Sequence, residues 1–332
     1  MIGKPGSGTL ADGAARAGRV DGETDLHQVA IAFGGLIVGF TVGLTGMGGG
    51  ALMTPMLVLL FGVQPLAAVS SDLVAAVVMK PVGGAVHARR GTVNRPLVGW
   101  LALGSIPCAF AGVLILKAMG SGSALQDRIK TLLGVLLIVA ALAMLTRMLL
   151  TARNRSARTG PTNIRPLPTI VVGAVGGLVV GMTSVGSGSL IIVFLMLLYP
   201  ALSTSELVGT DLVQAIPLVL SAALGHLLFG DFKLGLTAAL LAGSLPGVYI
   251  GARLSSRAHD GLIRPALFIV LVASALKLLN VSTDVTGAAV AAMVAVAVAA
   301  AVVVRRRAAQ SPVDAAITRS ANSRRQMSKS GR

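Results

Sequence analysis

The chain has 332 residues, 54 % of them hydrophobic and only 12 % charged, with a mean hydropathy of +0.84. A soluble domain carries about 25 % charged residues, so this composition excludes an ordinary water-facing globule and points to a membrane. The net charge of +16 does not indicate nucleic-acid binding, because it is concentrated in a loop at 147–165 (Arg147, Arg153, Arg155, Arg158, Arg165) and a tail at 305–332. Such clusters are what cytoplasmic loops of membrane proteins carry.

In chain order, residues 1–27 are rich in Gly, Ala and Asp and lack a basic-then-apolar signal layout, which predicts a disordered tail. A first transmembrane unit is expected over 28–150, a basic cytoplasmic loop over 151–166, a second unit over 167–281, an additional helix over 282–304 and a basic cytoplasmic tail over 305–332. The apolar segments fall at about 28–61, 65–88, 94–116 and 131–150, then 167–200, 203–229, 234–254 and 262–280. Most are of a length that crosses a hydrocarbon core roughly 30 Å thick. The segments 28–61 and 167–200 are too long for one span, and a glycine-rich knot interrupts each. Glycine in a helix interior costs about 1 kcal/mol relative to Ala, so both knots are predicted to be unwound, dividing each segment into two half-helices. Thr54-Pro55 reads as a helix start. Ser203-Thr204-Ser205-Glu206 reads as a capping box.

The two units are one pattern written twice. Gly35, Gly39, Gly43, the knot Gly46-Met47-Gly48-Gly49-Gly50, Asp72, His87, Gly91, Gly104-Ser105-Ile106-Pro107 and Gly112 recur in the second unit. There they are Gly173, Gly177, Gly181, the knot Ser184-Val185-Gly186-Ser187-Gly188, Asp211, His226, Gly230, Gly243-Ser244-Leu245-Pro246 and Gly251. Duplication in so apolar a chain is the mark of a transporter with its site between two related halves. If each broken segment enters and returns on one side, the arginine-rich loops at 89–95, 147–165 and 253–264 and the tail all face the cytoplasm. Each half then has three full spans, an odd number, so the repeats are inverted. The expected fold is an all-α polytopic membrane protein of two inverted repeats, each a broken re-entrant segment plus three spans, with one extra C-terminal helix.

The knots are the leading site candidates. Each precedes an apolar half-helix whose N-terminus presents unpaired N–H groups and about half a positive charge. Thr45, Gly46, Gly48, Gly49 and Gly50, with Thr183, Ser184, Gly186, Ser187, Gly188 and Ser189, would supply backbone and hydroxyl donors to an anion. The competing reading is that these glycines only allow close helix packing. Asp72 and Asp211, at equivalent intramembrane positions, are candidates for carrying coupling protons or for interhelical hydrogen bonding. Lys80, which has no counterpart in the second repeat, is an anion counter-charge or an ion-pair partner of Asp72. His87 and His226 lie near helix ends and read as structural hydrogen-bonding residues. One cysteine, Cys108, and four unclustered histidines give no metal or disulfide framework. No cofactor is expected, and neither knot is followed by the Lys-Ser/Thr of a phosphate-binding loop.

Taken together, the motif Gly43 to Gly50 with Pro55, His87 to Gly91, Val208-Gly209-Thr210-Asp211, Gly225-His226 and Gly243 to Gly251 resembles the sulfite exporter TauE/SafE family of membrane anion transporters. The resemblance covers about residues 30–280 and implies a multi-pass permease of the bacterial inner membrane moving sulfite, sulfonates or related organic sulfur anions. The sequence reading is therefore secondary transport of a small sulfur oxyanion by alternating access, with no enzymatic step. A cation or proton carrier using the paired aspartates, and an accessory membrane subunit that transports nothing, stand as alternatives. The partners expected are the small anion and the lipid bilayer, with no nucleic acid, and a homo-oligomer is left open.

Overall fold

A computed structural model describes residues 8–45, 49–89, 91–153, 163–254 and 260–298. These form helices α1 (Gly8–Thr45), α2 (Gly50–Leu60), α3 (Pro65–Arg89), α4 (Arg95–Ala118) and α5 (Ser123–Arg153). The second half gives α6 (Pro166–Thr183), α7 (Leu190–Leu198), α8 (Thr204–Phe229), α9 (Leu234–Leu254) and α10 (Asp260–Leu278). No strand occurs among the described residues. Seven helices contain segments long and apolar enough to cross a membrane, within α1, α3, α4, α5, α6, α8 and α9. The chain is thus an all-α multi-pass membrane protein. The helix α11 (Thr283–Val298) belongs to a separate unit that begins at Ser282, whose carbonyl accepts the Thr286 N–H. The tail at 305–332 and the loop at 154–162 lie outside the described residues.

Two expectations change. Helix α1 begins at Gly8, inside the stretch read as a disordered tail, and its membrane-length part starts at Leu26. Nor are the pieces before the knots half-helices. Leu26–Thr45 and Pro166–Thr183 are each span-length, and only α2 and α7, with 11 and 9 residues, are short. The reason lies in what the glycines touch. A Cβ at Gly35, Gly39 or Gly43 would collide with the α9 main chain at Leu240, Ser244 or Val248, and one at Gly173, Gly177 or Gly181 with the α4 main chain at Leu101, Ser105 or Ala109. Those glycines leave the helix intact and let two backbones meet, as small residues do in membranes. In the second half the helix gives way only past Thr183.

These contacts are exchanged between the halves. The first helix of each repeat runs parallel to the third long helix of the other, since rising numbers on α1 meet rising numbers on α9 and the same holds for α6 on α4. By contrast α3 meets its own equivalent, α8, in the antiparallel sense: Gly84 packs on Leu212 and Ile216, and Ser70 bonds His226. Helices α5 and α10 also pair antiparallel, Gly134 against Ala275 and Leu279 and Lys130 against Asn280.

Local signals set the ends. The Ser203–Glu206 capping box forms as expected, with the Glu206 N–H donating to Ser203 Oγ at 3.2 Å and the Ser203 N–H to the Glu206 carboxylate at 2.9 Å. Asn94 caps α4 by accepting from Leu97 N–H at 3.2 Å.

Substituting Gly177→Ala is expected to destabilise the fold by about 1–3 kcal/mol, the usual cost of overpacking, because the Ser105 carbonyl stands where the methyl would go. Gly99→Ala, where nothing stands within 4 Å, is expected to be neutral or to gain up to about 1 kcal/mol from helix propensity. Thermal unfolding in detergent, followed by retention of the monodisperse peak, compares the two.

Candidate functional site

The second knot is open backbone. Ser184 ends α6 with φ 61 and gives its N–H to the Val180 carbonyl at 2.7 Å, while Gly186 and Gly188 take φ of 119 and 94. Positive φ is strained for side-chain-bearing residues and free for glycine, which is why glycine stands at two of the three positions. Helix α7 then starts at Leu190, with Ser189 at its N-cap. Of the first knot, Gly46 and Gly48 lie outside the described residues. Gly49 forms a turn whose carbonyl accepts from Leu52 and Met53, and Gly50 opens α2. The knots meet there: a Cβ on Gly50 would overlap the Ser184 carbonyl.

Around this junction the intramembrane charges gather. Lys80 Nζ donates to Ser187 Oγ at 2.6 Å, so a cation of the first repeat is anchored on the knot of the second. Asp72 is 1 % exposed and accepts from Thr54 Oγ1 at 2.8 Å, with its Oδ1 lacking a hydrogen-bond partner. Ser184 and Lys80 are its further polar neighbours. Asp211, also 1 % exposed, accepts from Gln214 Nε2 at 3.2 Å, and Gln214 is held by Ser105 Oγ, 3.2 Å away. The Gly188 backbone N–H also bonds Asp211, and Lys80 and, from α5, Arg147 act on it electrostatically. Among the described residues neither carboxylate forms an ion pair with Lys80 within 4.0 Å; of the two roles read for Lys80 the ion pair with Asp72 is not made, and its ammonium bonds Ser187.

Other candidates have different tasks. Thr45 and Thr183 donate their hydroxyl protons to the Thr41 and Val179 carbonyls, at 2.8 and 2.7 Å, and Thr183 Oγ1 accepts from the Val185 N–H of the knot at 3.4 Å. Thr54 is no N-cap: α2 already begins at Gly50, Pro55 sits inside it, and the Thr54 hydroxyl holds Asp72. Pro55 has no N–H for the Ala51 carbonyl four residues before it, and Ala51 lines a cavity. That cavity, of about 20 Å³, is bounded by Ala51, Leu52, Met144, Ser187, Gly188, Ser189 and Leu271. Ser189 Oγ is buried without a partner.

His226 is structural, as expected: its Nε2 lies 2.8 Å from the Gly181 carbonyl, to which it donates, and its Nδ1 lies 2.9 Å from Ser70 Oγ. The His87 side chain lies outside the described residues. A separate recess of about 390 Å³, lined by Leu66, Leu116, Lys117, Leu125, Phe229 and Gly230 among others, lies beside the His226–Ser70 pair, with Lys117 Nζ 4.0 Å from the centre of the Phe229 ring. Sequence reasoning missed Thr54 and Gln214 as partners of the aspartates, and Ser105 as the partner of Gln214. Only Gln214 carried a signal, as a polar residue one turn from Asp211 in an apolar run.

A bundle of apolar helices broken by two meeting knots, with three buried charges at the junction, defines a polytopic membrane transporter. The sequence profile "Sulfite exporter TauE/SafE" matches residues 31–278, and the chain belongs to that family. It is 40 % identical over 261 residues to "Probable membrane transporter protein YjnA" of Bacillus subtilis (strain 168), an alignment covering 76 % of this chain and 100 % of that protein. "Probable membrane transporter protein YdhB" of the same organism is 24 % identical over 247 residues, 73 % of this chain and 96 % of the relative. No solved structure matches the chain.

Removing the Thr54 hydroxyl tests its hold on Asp72. Thr54→Val is expected to cost about 1.5–3 kcal/mol, the range for a hydrogen bond to a charged group, and Thr54→Ser to restore most of it. Detergent thermal unfolding of the three proteins at neutral pH gives the order.

Proposed function

We propose that the chain is a secondary transporter for small sulfur-containing oxyanions, working by alternating access between two inverted repeats and coupled to protons through Asp72 and Asp211. The observation that carries this reading is the Lys80–Ser187 bond. It sets an ammonium group beside the unpartnered Ser189 hydroxyl and the positive N-terminal end of α7, a donor-rich lip at the junction of the two repeats. The sulfur chemistry follows from the family, whose description is a sulfite exporter.

Inversion is supported by the antiparallel pairing of α3 with its equivalent α8. A two-fold axis that brings equivalent helices together antiparallel runs perpendicular to them, and for membrane-spanning helices that direction lies in the membrane plane. Cytoplasmic placement of the 147–165 loop in a bacterial inner membrane rests on its arginines. The cavity at the second knot, about 20 Å³, has room for about one water by the usual measure, so an oxyanion enters only when the walls from α2, α5 and α10 part from the knot. A closed site of this kind suits an occluded state between two open ones. A second reading, cation transport on the aspartates, is favoured by one observation, the unpartnered Asp72 Oδ1.

Proteoliposomes loaded with the full chain are expected to exchange labelled sulfite or a simple sulfonate and to ignore sodium and potassium. Cation uptake without anion exchange would establish the second reading instead. Ser187→Ala is expected to weaken anion binding about tenfold, in line with a lost hydrogen bond to a charged group, and Lys80→Met by more. For topology, single cysteines at Thr92→Cys and Asp231→Cys in a Cys108→Ala background should react with an impermeant thiol reagent from opposite faces. Same-face labelling would refute inversion.

A further inference from the structure

We propose that the recess beside Lys117 is a binding site for an organic anion with an apolar body, of the kind an alkanesulfonate represents, separate from the knot junction. Such a site lies outside the junction and does not depend on the carrier reading above.

The recess, of about 390 Å³, forms where helices end and begin. Leu116 and Lys117 come from the last turn of α4, Phe229 from the end of α8, Leu66 from the first turn of α3, Leu125 from that of α5, and Ser121 from the turn between α4 and α5. Leu125 and Arg147 lie about 33 Å apart along α5 at its rise per residue, so the recess opens at the end of the bundle away from that arginine. Small-molecule sites are clefts of about 300–1,000 Å³, largely apolar with a few placed polar groups. The recess has that size, whereas the knot cavity of about 20 Å³ has room for about one water.

Its walls are fixed without an occupant. The Leu66 N–H donates to Gln126 Oε1 at 3.0 Å, tying the start of α3 to α5. The Phe110 ring meets Phe229 edge-on, with centroids 6.2 Å apart, and Lys117 Nζ sits 4.0 Å from the centre of the Phe229 ring. That ring attracts the ammonium but leaves its charge uncancelled. Lys117 is exposed, and among the described residues no carboxylate lies within 4.0 Å of its ammonium. A lone cation would hold any anion, and leucine walls any apolar body. Together they select a molecule that carries both.

The floor separates the recess from the junction. Gly230 lines it, and a Cβ there would meet Ser70 Oγ at 2.7 Å and His226 Nδ1 at 2.8 Å. Behind that pair His226 Nε2 is bonded to the Gly181 carbonyl, ahead of the turn at Ser184 that opens the knot. An anion in the recess is therefore held apart from Ser187 and Lys80 by the Ser70–His226 pair.

The test reads binding directly, on the full chain carrying Ser121→Cys and Cys108→Ala in phosphatidylcholine nanodiscs. Ser121 and Lys117 are both exposed, so their substitution leaves the packing of the bundle in place. The introduced thiol is modified with 2-sulfonatoethyl methanethiosulfonate, an anion, and with its cationic trimethylammonioethyl counterpart. Relative to N-acetylcysteine, the anionic reagent is expected to be favoured about tenfold, the order that an ammonium sharing a partly solvated recess can supply. Lys117→Gln should remove that preference and Lys117→Arg should keep it. Alkanesulfonates should protect the thiol, the protecting concentration falling by up to about fourfold for each methylene added between methanesulfonate and hexanesulfonate, as expected for burial of one CH₂. Hexanol, with the same chain and no charge, should protect far more weakly. No protection by any alkanesulfonate, protection unchanged in Lys117→Gln, or equal protection by hexanol would each overturn the site. Protection that does not grow with chain length would show a bare charge attracting anions, which also refutes the apolar pocket. A thiol shielded in phosphatidylglycerol nanodiscs with no added ligand would give the recess to an anionic lipid and overturn the soluble occupant. Failure of sulfite exchange in proteoliposomes with protection intact would sink the transport reading and leave this site standing.

Discussion

Between Thr183 and Leu190 the backbone leaves the helix in the middle of an apolar segment, where lipid offers its N–H and C=O groups no partner. Such backbone persists only if protein or enclosed water surrounds it. Much of the arrangement follows from that enclosure. Ser184 turns into the left-handed region and returns its N–H to Val180. Gly50 of the other half closes against the Ser184 carbonyl. Met144 and Leu271, from α5 and α10, complete the wall around Ser187, Gly188 and Ser189. Once a polar backbone pocket exists inside the bundle, charged side chains become tolerable there and nowhere else nearby, and this is where Asp72, Lys80 and Asp211 are found.

The enclosure is framed by two seams of main-chain contact, α1 on α9 and α6 on α4. In lipid the hydrophobic effect gives helices no reason to associate, so dispersion contacts between closely approaching backbones do that work. Because each seam joins the first helix of one repeat to the third long helix of the other, neither half completes its own packing. The knots, which follow directly on α1 and α6, are thereby held at the boundary between repeats.

The halves have diverged where chemistry is concerned. Lys80 stands where the second repeat has Val219, Gln214 where the first has Ala75, and Thr54 where the second has Ile192. Each aspartate thus has its own donor, Thr54 for Asp72 and Gln214 for Asp211, while one lysine acts electrostatically on both. A repeated scaffold thus holds an unequal set of buried charges, two carboxylates to one ammonium.

The sequence by itself determined the class of protein, because hydropathy runs and a repeated glycine pattern are one-dimensional properties that survive whatever the helices pack against. It also determined the break at the second knot and the Ser203–Glu206 cap, since both rest on the conformational cost of a few adjacent residues. Tertiary structure alone decided which glycines bend and which pack: Gly39 and Gly177 look like Gly186 in the sequence, yet two lie in seams and one in an unwound turn. It alone joined Lys80 to Ser187 across 107 residues and Thr54 to Asp72 across 18. Thr54-Pro55 has the local form of a helix start, but α2 had begun four residues earlier because Gly50 is the residue small enough to lie against Ser184. Side-chain partnership is a matter of which helix faces meet, and those faces are set by backbone approach distances between segments far apart in the chain.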